Sequence, residues 1–293
     1  MVLTKDKVSS IRNKMRRAQL LAKMKHTDNK ERHEMRHKRA RQEAADPELK
    51  QERLQNNVPD TIENKRVYDE TIGTEIEEDE FSEYFQLGKQ PKVFITTSKR
   101  PKKEAYDFAA LLLDIIPNSE YFARKDQFEI PVMAELCTKR GYTDLIVVNE
   151  DKKKVNGITF VHLPGGPSFY FSVSSLVLPQ NLHGHGRATD HVPELILNNF
   201  STRLGKTAGR LFQSLFPQQP EFQGRQVVTL HNQRDFIFFR RHRYVFKNEE
   251  RVGLQELGPQ FTLRLRRLQH GIRDEVEFEH HPGMDKDKRK FVL

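Results

Sequence analysis

The sequence predicts an α/β fold of two pseudo-repeated halves behind an extended basic N-terminal arm. The order strand, basic loop, helix and proline stop occurs twice, and the charge falls in separate blocks along the chain. In the first half, residues 92–97 form a β-branched and aromatic run. Residues 102–116 then place Tyr106, Ala109, Ala110 and Leu113 at helical spacing before Pro117 ends the helix. The second copy begins at Glu194, with a strand over 195–200, a turn over 201–204, a helix over 205–216 and Pro217 as the stop. The loops match in chemistry, Ser98-Lys99-Arg100 against Ser201-Thr202-Arg203.

Paired strands follow each helix. Residues 144–149 and 157–163 flank a polar turn, after which Pro164-Gly165-Gly166-Pro167 leads into 168–178; residues 226–230 and 235–240 flank the turn 231–234. A helix over 131–140 has proline in its first turn and Gly141 just past its end. The halves span about 91–180 and 190–270 and are joined near 179–193.

The remaining segments are an arm over 1–45, an acidic linker over 46–90 and a tail over 271–293. Hydrophobic residues make up 36% of the 293, low for a wholly packed chain, so part of it is expected to be extended. Residues 1–45 carry 14 Lys or Arg and 5 Asp or Glu, whereas residues 46–83 carry 4 and 13. These blocks cancel, and 84–293 supplies the net charge of +9. A polyanionic partner follows, with RNA, DNA and an acidic membrane surface all compatible at this point.

In the arm, Ile11, Met15, Ala18 and Ala22 recur at helical spacing among Arg12, Lys14, Arg16 and Arg17, predicting a short basic amphipathic helix. Residues 30–43 are almost entirely charged and are expected to order only on a partner. That partner could be nucleic acid, an acidic protein or an import receptor. The acidic stretch from Asp69 to Glu83 reads as a solvated linker, or as a shield over the basic segments that RNA displaces.

One cysteine, Cys137, excludes an intrachain disulfide and a cysteine-based zinc site. The longest strongly apolar stretch, 111–116, is far short of the roughly 20 residues that span a bilayer, so no membrane span is expected. The basic N-terminus has no apolar run after it, which argues against a secretory signal.

Function is written in arginine. Residues 179–273 hold 13 Arg, 2 Lys and 7 acidic residues, and guanidinium forks pair with phosphate and stack on bases better than ammonium groups do. Phe261, Leu263 and Leu265 alternate with Thr262, Arg264 and Arg266, so a strand there turns two guanidiniums away from the core. The run Arg240-Arg241-His242-Arg243-Tyr244 adds further cationic groups. Catalytic signals are weak. Gly205-Lys206-Thr207 lacks the glycine five positions earlier that a phosphate-binding loop needs, since Phe200 stands there. His183, His185 and His191 have only Asp190 beside them, and Cys137 reads as a core thiol. Neither an enzyme nor a cofactor or metal is expected.

The segment Val252-Gly253-Leu254-Gln255-Glu256-Leu257-Gly258-Pro259-Gln260-Phe261-Thr262-Leu263-Arg264-Leu265 resembles the C-terminal signature of the Brix family. Lys92-Val93-Phe94-Ile95-Thr96-Thr97-Ser98, Leu163-Pro164-Gly165-Gly166-Pro167 and Pro193-Glu194-Leu195-Ile196-Leu197-Asn198-Asn199-Phe200 support it, and the resemblance covers about residues 91–270. It implies two halves like the anticodon-binding fold of some tRNA synthetases. It further implies a non-catalytic nucleolar factor that joins early precursors of the large ribosomal subunit. Such a factor contacts precursor ribosomal RNA and works with another assembly factor among the proteins of the pre-ribosomal particle. At Gln260 the family pattern usually has Arg, and no role is carried onto that position. Arg264, Arg266 and Arg267, in or just after the matching motif, are the first expected RNA contacts. Arg240, Arg241 and Arg243 come next, followed by Lys99, Arg100 and Arg203 in the loops and Arg12, Lys14, Arg16 and Arg17 in the arm.

Overall fold

The computed structural model describes all residues except 1–7, 9–10, 60, 68–79, 127, 220–221, 249–250, 273–274 and 287–289. Most of the acidic stretch therefore lies outside the described residues, with Glu80 and Glu83 inside them. The chain divides into two compact units, residues 1–65 and 66–293.

The first unit is helical. Asn13 caps helix α1 (Lys14–Ala45) by accepting the Arg16 N–H, and Asp46 caps helix α2 (Pro47–Asn56) by accepting from Glu48. Neither helix buries a residue. The expected short helix thus continues through 30–43. No glycine or proline interrupts residues 14–45, and Lys, Arg, Glu, Gln, Ala and Met are strong helix formers that need no packing to favour the conformation.

The second unit is built on one mixed sheet. In chain order its elements are α3 (Ser82–Gln86), β1 (Val93–Thr97), α4 (Lys103–Ile115), β2 (Ser119–Tyr121), α5 (Ile130–Lys139), β3 (Asp144–Asp151), β4 (Lys154–His162) and β5 (Ser168–Val177). There follow β6 (Glu194–Asn198), α6 (Arg203–Ser214), β7 (Gln226–Gln233), β8 (Phe236–Asn248), β9 (Arg251–Glu256), β10 (Gln260–Gln269) and β11 (Val276–Glu279). The strand order is β2-β1-β3-β4-β5-β10-β8-β7-β6, with β9 on β8 and β11 on β10. β1 runs parallel to β3 and β6 parallel to β7, whereas the centre, where β5 meets β10 and β10 meets β8, is antiparallel.

Side-chain alternation gives this sheet two unlike faces. On one, Phe108 and Leu112 of α4 and Leu211 and Phe212 of α6 pack with Ile146, Phe160, Phe171, Val228, Leu263 and Leu265 in the main core. On the other, α5 covers only the β1–β4 end, where Met133, Ala134 and Cys137 meet Leu145, Val147 and Val161. Beyond α5 this second face reaches solvent, with Thr159, Tyr170, Ser172, Phe238, Arg240 and His242 half-buried.

Packing extends past 91–270 at both ends. Phe81 and Tyr84 of the linker are buried. The tail adds β11 and a buried Leu293, whose N–H, together with that of Val292, donates to Asp235 Oδ1.

Candidate nucleic-acid interface

Strand β10 holds the arginines expected to contact RNA. The alternation holds for Leu263, Arg264, Leu265 and Arg266, and then a bulge intervenes. Leu265 pairs with Phe171 and Arg267 with Tyr170, leaving Arg266 as the extra residue. The bulge returns Leu268 to the core and puts Arg266 and Arg267 on the solvent face with Arg264.

The arginines are not bare. Arg264, its side chain only 15% exposed, is ion-paired with Asp285 and lies 4.7 Å over the Phe236 ring. Its hydrogen bond to Asp285 is the main reason that carboxyl sits below the usual carboxylate range. Arg266 Nε donates to Ser172 Oγ at 2.9 Å, and its Nη1 lies 2.8 Å from His280 Nδ1. His280 Nε2 in turn lies 3.2 Å from Asp285. A neutral imidazole that accepts from Arg266 and donates to Asp285 satisfies all three. Arg267 donates to Glu279 at 2.6 Å across the β10–β11 ladder. That pair is open to solvent on both sides, 48% and 43%, so holding it is worth roughly 0–1 kcal/mol and a phosphate can replace the carboxylate. Arg264 therefore packs and tethers, whereas the pair that holds Arg267 is open to solvent.

Strand β8 separates its arginines. Arg240, Arg241 and Arg243 are neighbours in sequence, but successive residues of a strand point to opposite faces. Arg240 and His242 share the solvent face with Phe238, whereas Arg241 is 2% exposed and its Nη2 donates to Gln226 Oε1 at 2.8 Å. Burial pushes the Arg241 pKa down. Arg243 points to the same side as Arg241 and donates to the Arg187 carbonyl. Arg241 is thus a core residue.

The first-half loop pairs its cations, Lys99 with Glu129 at 2.7 Å and Arg100 with Asp126 at 3.0 Å, both near the surface. Arg203, in the first turn of α6, is half exposed with Glu277 3.9 Å away. Gln260 donates to Glu256 at 2.7 Å. The arm differs from all of these. Arg12, Lys14 and Arg16 are exposed, and Arg17 donates to the Ile11 carbonyl. Among the described residues, no carboxylate reaches any of the four.

Catalytic geometry is not assembled from the groups considered in the sequence. Gly205 lies in the first turn of α6, its N–H donating to Thr202 Oγ1, and a Cβ there would lie 2.8 Å from the Leu293 backbone, so the tail packs closely against this turn. Asp144 and His162, paired at 2.8 Å and buried, have Ser214 Oγ 3.3 Å from the same carboxylate oxygen. Because the serine faces the carboxylate and not the imidazole, this cluster ties β3, β4 and α6 together. Tyr84 closes it by donating to the Ser214 carbonyl, and burial raises that phenol's pKa. Burial pushes the Cys137 thiol up to about 11. His185 and His191 bond to loop oxygens. Among the described residues the one group with metal-ligand spacing is Glu80, His270 and Glu277, all exposed.

One feature went unread in the sequence. β8 and β9 form a ribbon in which Tyr244 pairs with Leu254 and Phe246 with Val252, so alternation puts all four on one face. Phe246 and Leu254 are 63% and 64% exposed. The signal was present as two alternating apolar runs flanking 247–251.

A mixed sheet with α4 and α6 over one face and α5 over the other, following a basic helical segment, is the frame of this chain, and residues 98–267 match the Brix domain. The chain belongs to the Brix domain family. Within that class it is 58% identical to Ribosome production factor 1 of Saccharomyces cerevisiae, over 97% of this chain and 98% of that protein. It is 45% identical to Ribosome production factor 1 of Mus musculus, over 98% of this chain and 85% of that protein. The crystal structure of a probable ribosomal biogenesis protein from Aeropyrum pernix K1 aligns with 64% of this chain and 99% of its own, at 17% identity and a TM-score of 0.44.

Proposed function

We propose that the protein is a non-catalytic ribosome biogenesis factor that binds precursor ribosomal RNA of the large subunit during early assembly and processing, in the nucleolus. Similarity to Ribosome production factor 1 along nearly the whole chain is the observation that carries this reading. RNA contact is divided. The exposed cations Arg12, Lys14 and Arg16, with Arg17, neutralise phosphates, and Arg240, Arg266 and Arg267 on the sheet's solvent face add contacts to the folded unit. Lys99, Arg100 and Arg203 stand at the loops as weaker contributors. We read the two halves as pseudo-equivalent and related to the anticodon-binding fold, since strand, helix and parallel strand succeed one another in each. Another assembly factor binds directly, among further proteins of the pre-ribosomal particle.

Titrating the full chain into large-subunit precursor fragments at several salt concentrations tests the reading. Affinity is expected to fall steeply with salt, and a flat dependence would contradict it. A second reading, a protein scaffold whose RNA contacts are confined to the arm, is favoured by the exposed apolar face of the β8–β9 ribbon. Crosslinks restricted to residues 1–45 would select it.

A further inference from the structure

We propose that His33 and His37 of helix α1 chelate one divalent ion of the zinc, copper and nickel class on the exposed arm. The inference is independent of the RNA reading. Residues 33–37 run His-Glu-Met-Arg-His, and all five lie inside the helix Lys14–Ala45. Four residues make slightly more than one turn, so the two imidazoles stand on one face, one above the other. Their ring centroids are 4.8 Å apart and the planes are tilted by 52°.

Two imidazoles that share an ion ask for this separation. With metal–nitrogen bonds of about 2.0–2.1 Å at a tetrahedral angle, the ring centres fall roughly 5 Å apart. The rings are also unengaged. Both residues are exposed, and among the described residues no hydrogen bond or ion pair reaches either ring.

The surroundings select the metal. Residues 1–45 carry 14 Lys or Arg against 5 Asp or Glu, and Arg32, Arg36 and Lys38 adjoin the pair in sequence, so the local field opposes any dication. Magnesium and calcium, which bind through oxygen ligands and charge, are disfavoured. Coordinate bonds to nitrogen must supply the affinity, and imidazole suits zinc, copper and nickel. His26 is on the same face but seven residues earlier, about 10 Å along the axis, and cannot share the ion.

The order H-E-x-x-H on a helix is also that of zinc peptidases, in which the glutamate acts as general base. Here the chemistry stops at binding. No residue of α1 is buried, so no cleft surrounds the pair, and among the described residues a group of three ligands forms only at Glu80, His270 and Glu277. Two protein ligands leave two positions of a tetrahedral shell to water. The ion acts as a clip. Helix α1 has no packed face to hold it, and a chelate that exists only in the helical conformation adds its binding energy to that turn.

The test titrates zinc chloride into the full chain by calorimetry, with magnesium chloride as the control, and follows amide hydrogen exchange over residues 30–43. Zinc is expected to bind and to slow exchange around 33–37, and magnesium to do neither. His33→Ala and His37→Ala should each abolish that protection and weaken the binding at least about tenfold, since losing even an outer partner of a metal ligand costs about 10–100-fold. Alanine favours the helix at both exposed positions, so the variants keep the arm's conformation. His26→Ala and His270→Ala should behave as wild type in both measurements. Zinc binding and arm protection that persist in His33→Ala and His37→Ala assign the metal to other histidines and overturn the proposal. Absence of zinc-dependent protection around 33–37 in the wild type overturns it as well.

Discussion

The cations of the N-terminal arm, 14 in residues 1–45, and those of the sheet's second half, 15 in residues 179–273, are alike in number and unlike in surroundings. On the arm, Arg12, Lys14, Arg16 and Arg17 have no carboxylate within reach among the described residues, and no residue of α1 is buried. In the sheet, Arg264 is tied to Asp285, Arg267 to Glu279 and Arg241 to Gln226. The difference teaches that a count of basic residues measures the long-range field, whereas the supply of guanidiniums for phosphate depends on what already holds them. The arm has charge to give. The sheet has spent part of its charge on its own architecture and keeps a shaped face with aromatic and hydroxyl groups, which fits selectivity more than raw affinity.

The largest effect should come from the arm. Replacing Arg12, Lys14, Arg16 and Arg17 together by alanine should make the salt dependence of precursor RNA binding shallower by about three to four and cost at least about tenfold in affinity, measured by filter binding. A drop of similar size from sheet variants alone would erase the contrast. Next is Arg241→Ala, which leaves a cavity and takes from Gln226 Oε1 the guanidinium donor it has in the core. It should lower unfolding stability by about 2–4 kcal/mol in urea titration without altering the salt slope of the remaining folded protein.

Arg264→Ala sharpens the comparison within one strand. It removes the stack on Phe236 and the tether to Asp285, so the unfolding free energy should fall, by about 0.5–2 kcal/mol for the stack, with the RNA salt slope unchanged. Its pH signature has a definite sign. Asp285 titrates below its ordinary value when folded, so the tether contributes fully above that ordinary value and is lost as pH falls through the folded one; Arg264→Ala should abolish this acid sensitivity. Arg267→Ala should do the opposite, lowering the slope by about one while moving stability by less than about 0.5 kcal/mol. The smallest effect concerns Cys137. With its thiol pushed up to about 11 by burial, alkylation at neutral pH should proceed only at the rate of unfolding.

Much of this was legible in the residues. The alternation of Leu263, Arg264, Leu265 and Arg266 correctly placed two guanidiniums opposite the core, and the proline stops marked the ends of α4 and α6. The same period-two rule, applied to Arg240, Arg241 and Arg243, already implied that they cannot share one surface. Other features had no local signal. The bulge at Arg266 is a property of β10 lying against β5, and Asp285 and Glu279 return from a tail whose sequence gives no reason to expect packing. The long helix of the arm has no apolar stripe to announce it and rests on the helix propensity of its residues.

Ultraviolet crosslinking of the full chain to large-subunit precursor RNA, with the modified residues located by mass spectrometry, tests the division of labour most directly. Modified peptides from the arm around Arg12 to Arg17 and from β5 and β10 around Tyr170 and Arg267 are the expected result. Crosslinks confined to the face carrying Arg241 and Arg243, or absent from both the arm and the solvent face, would contradict it.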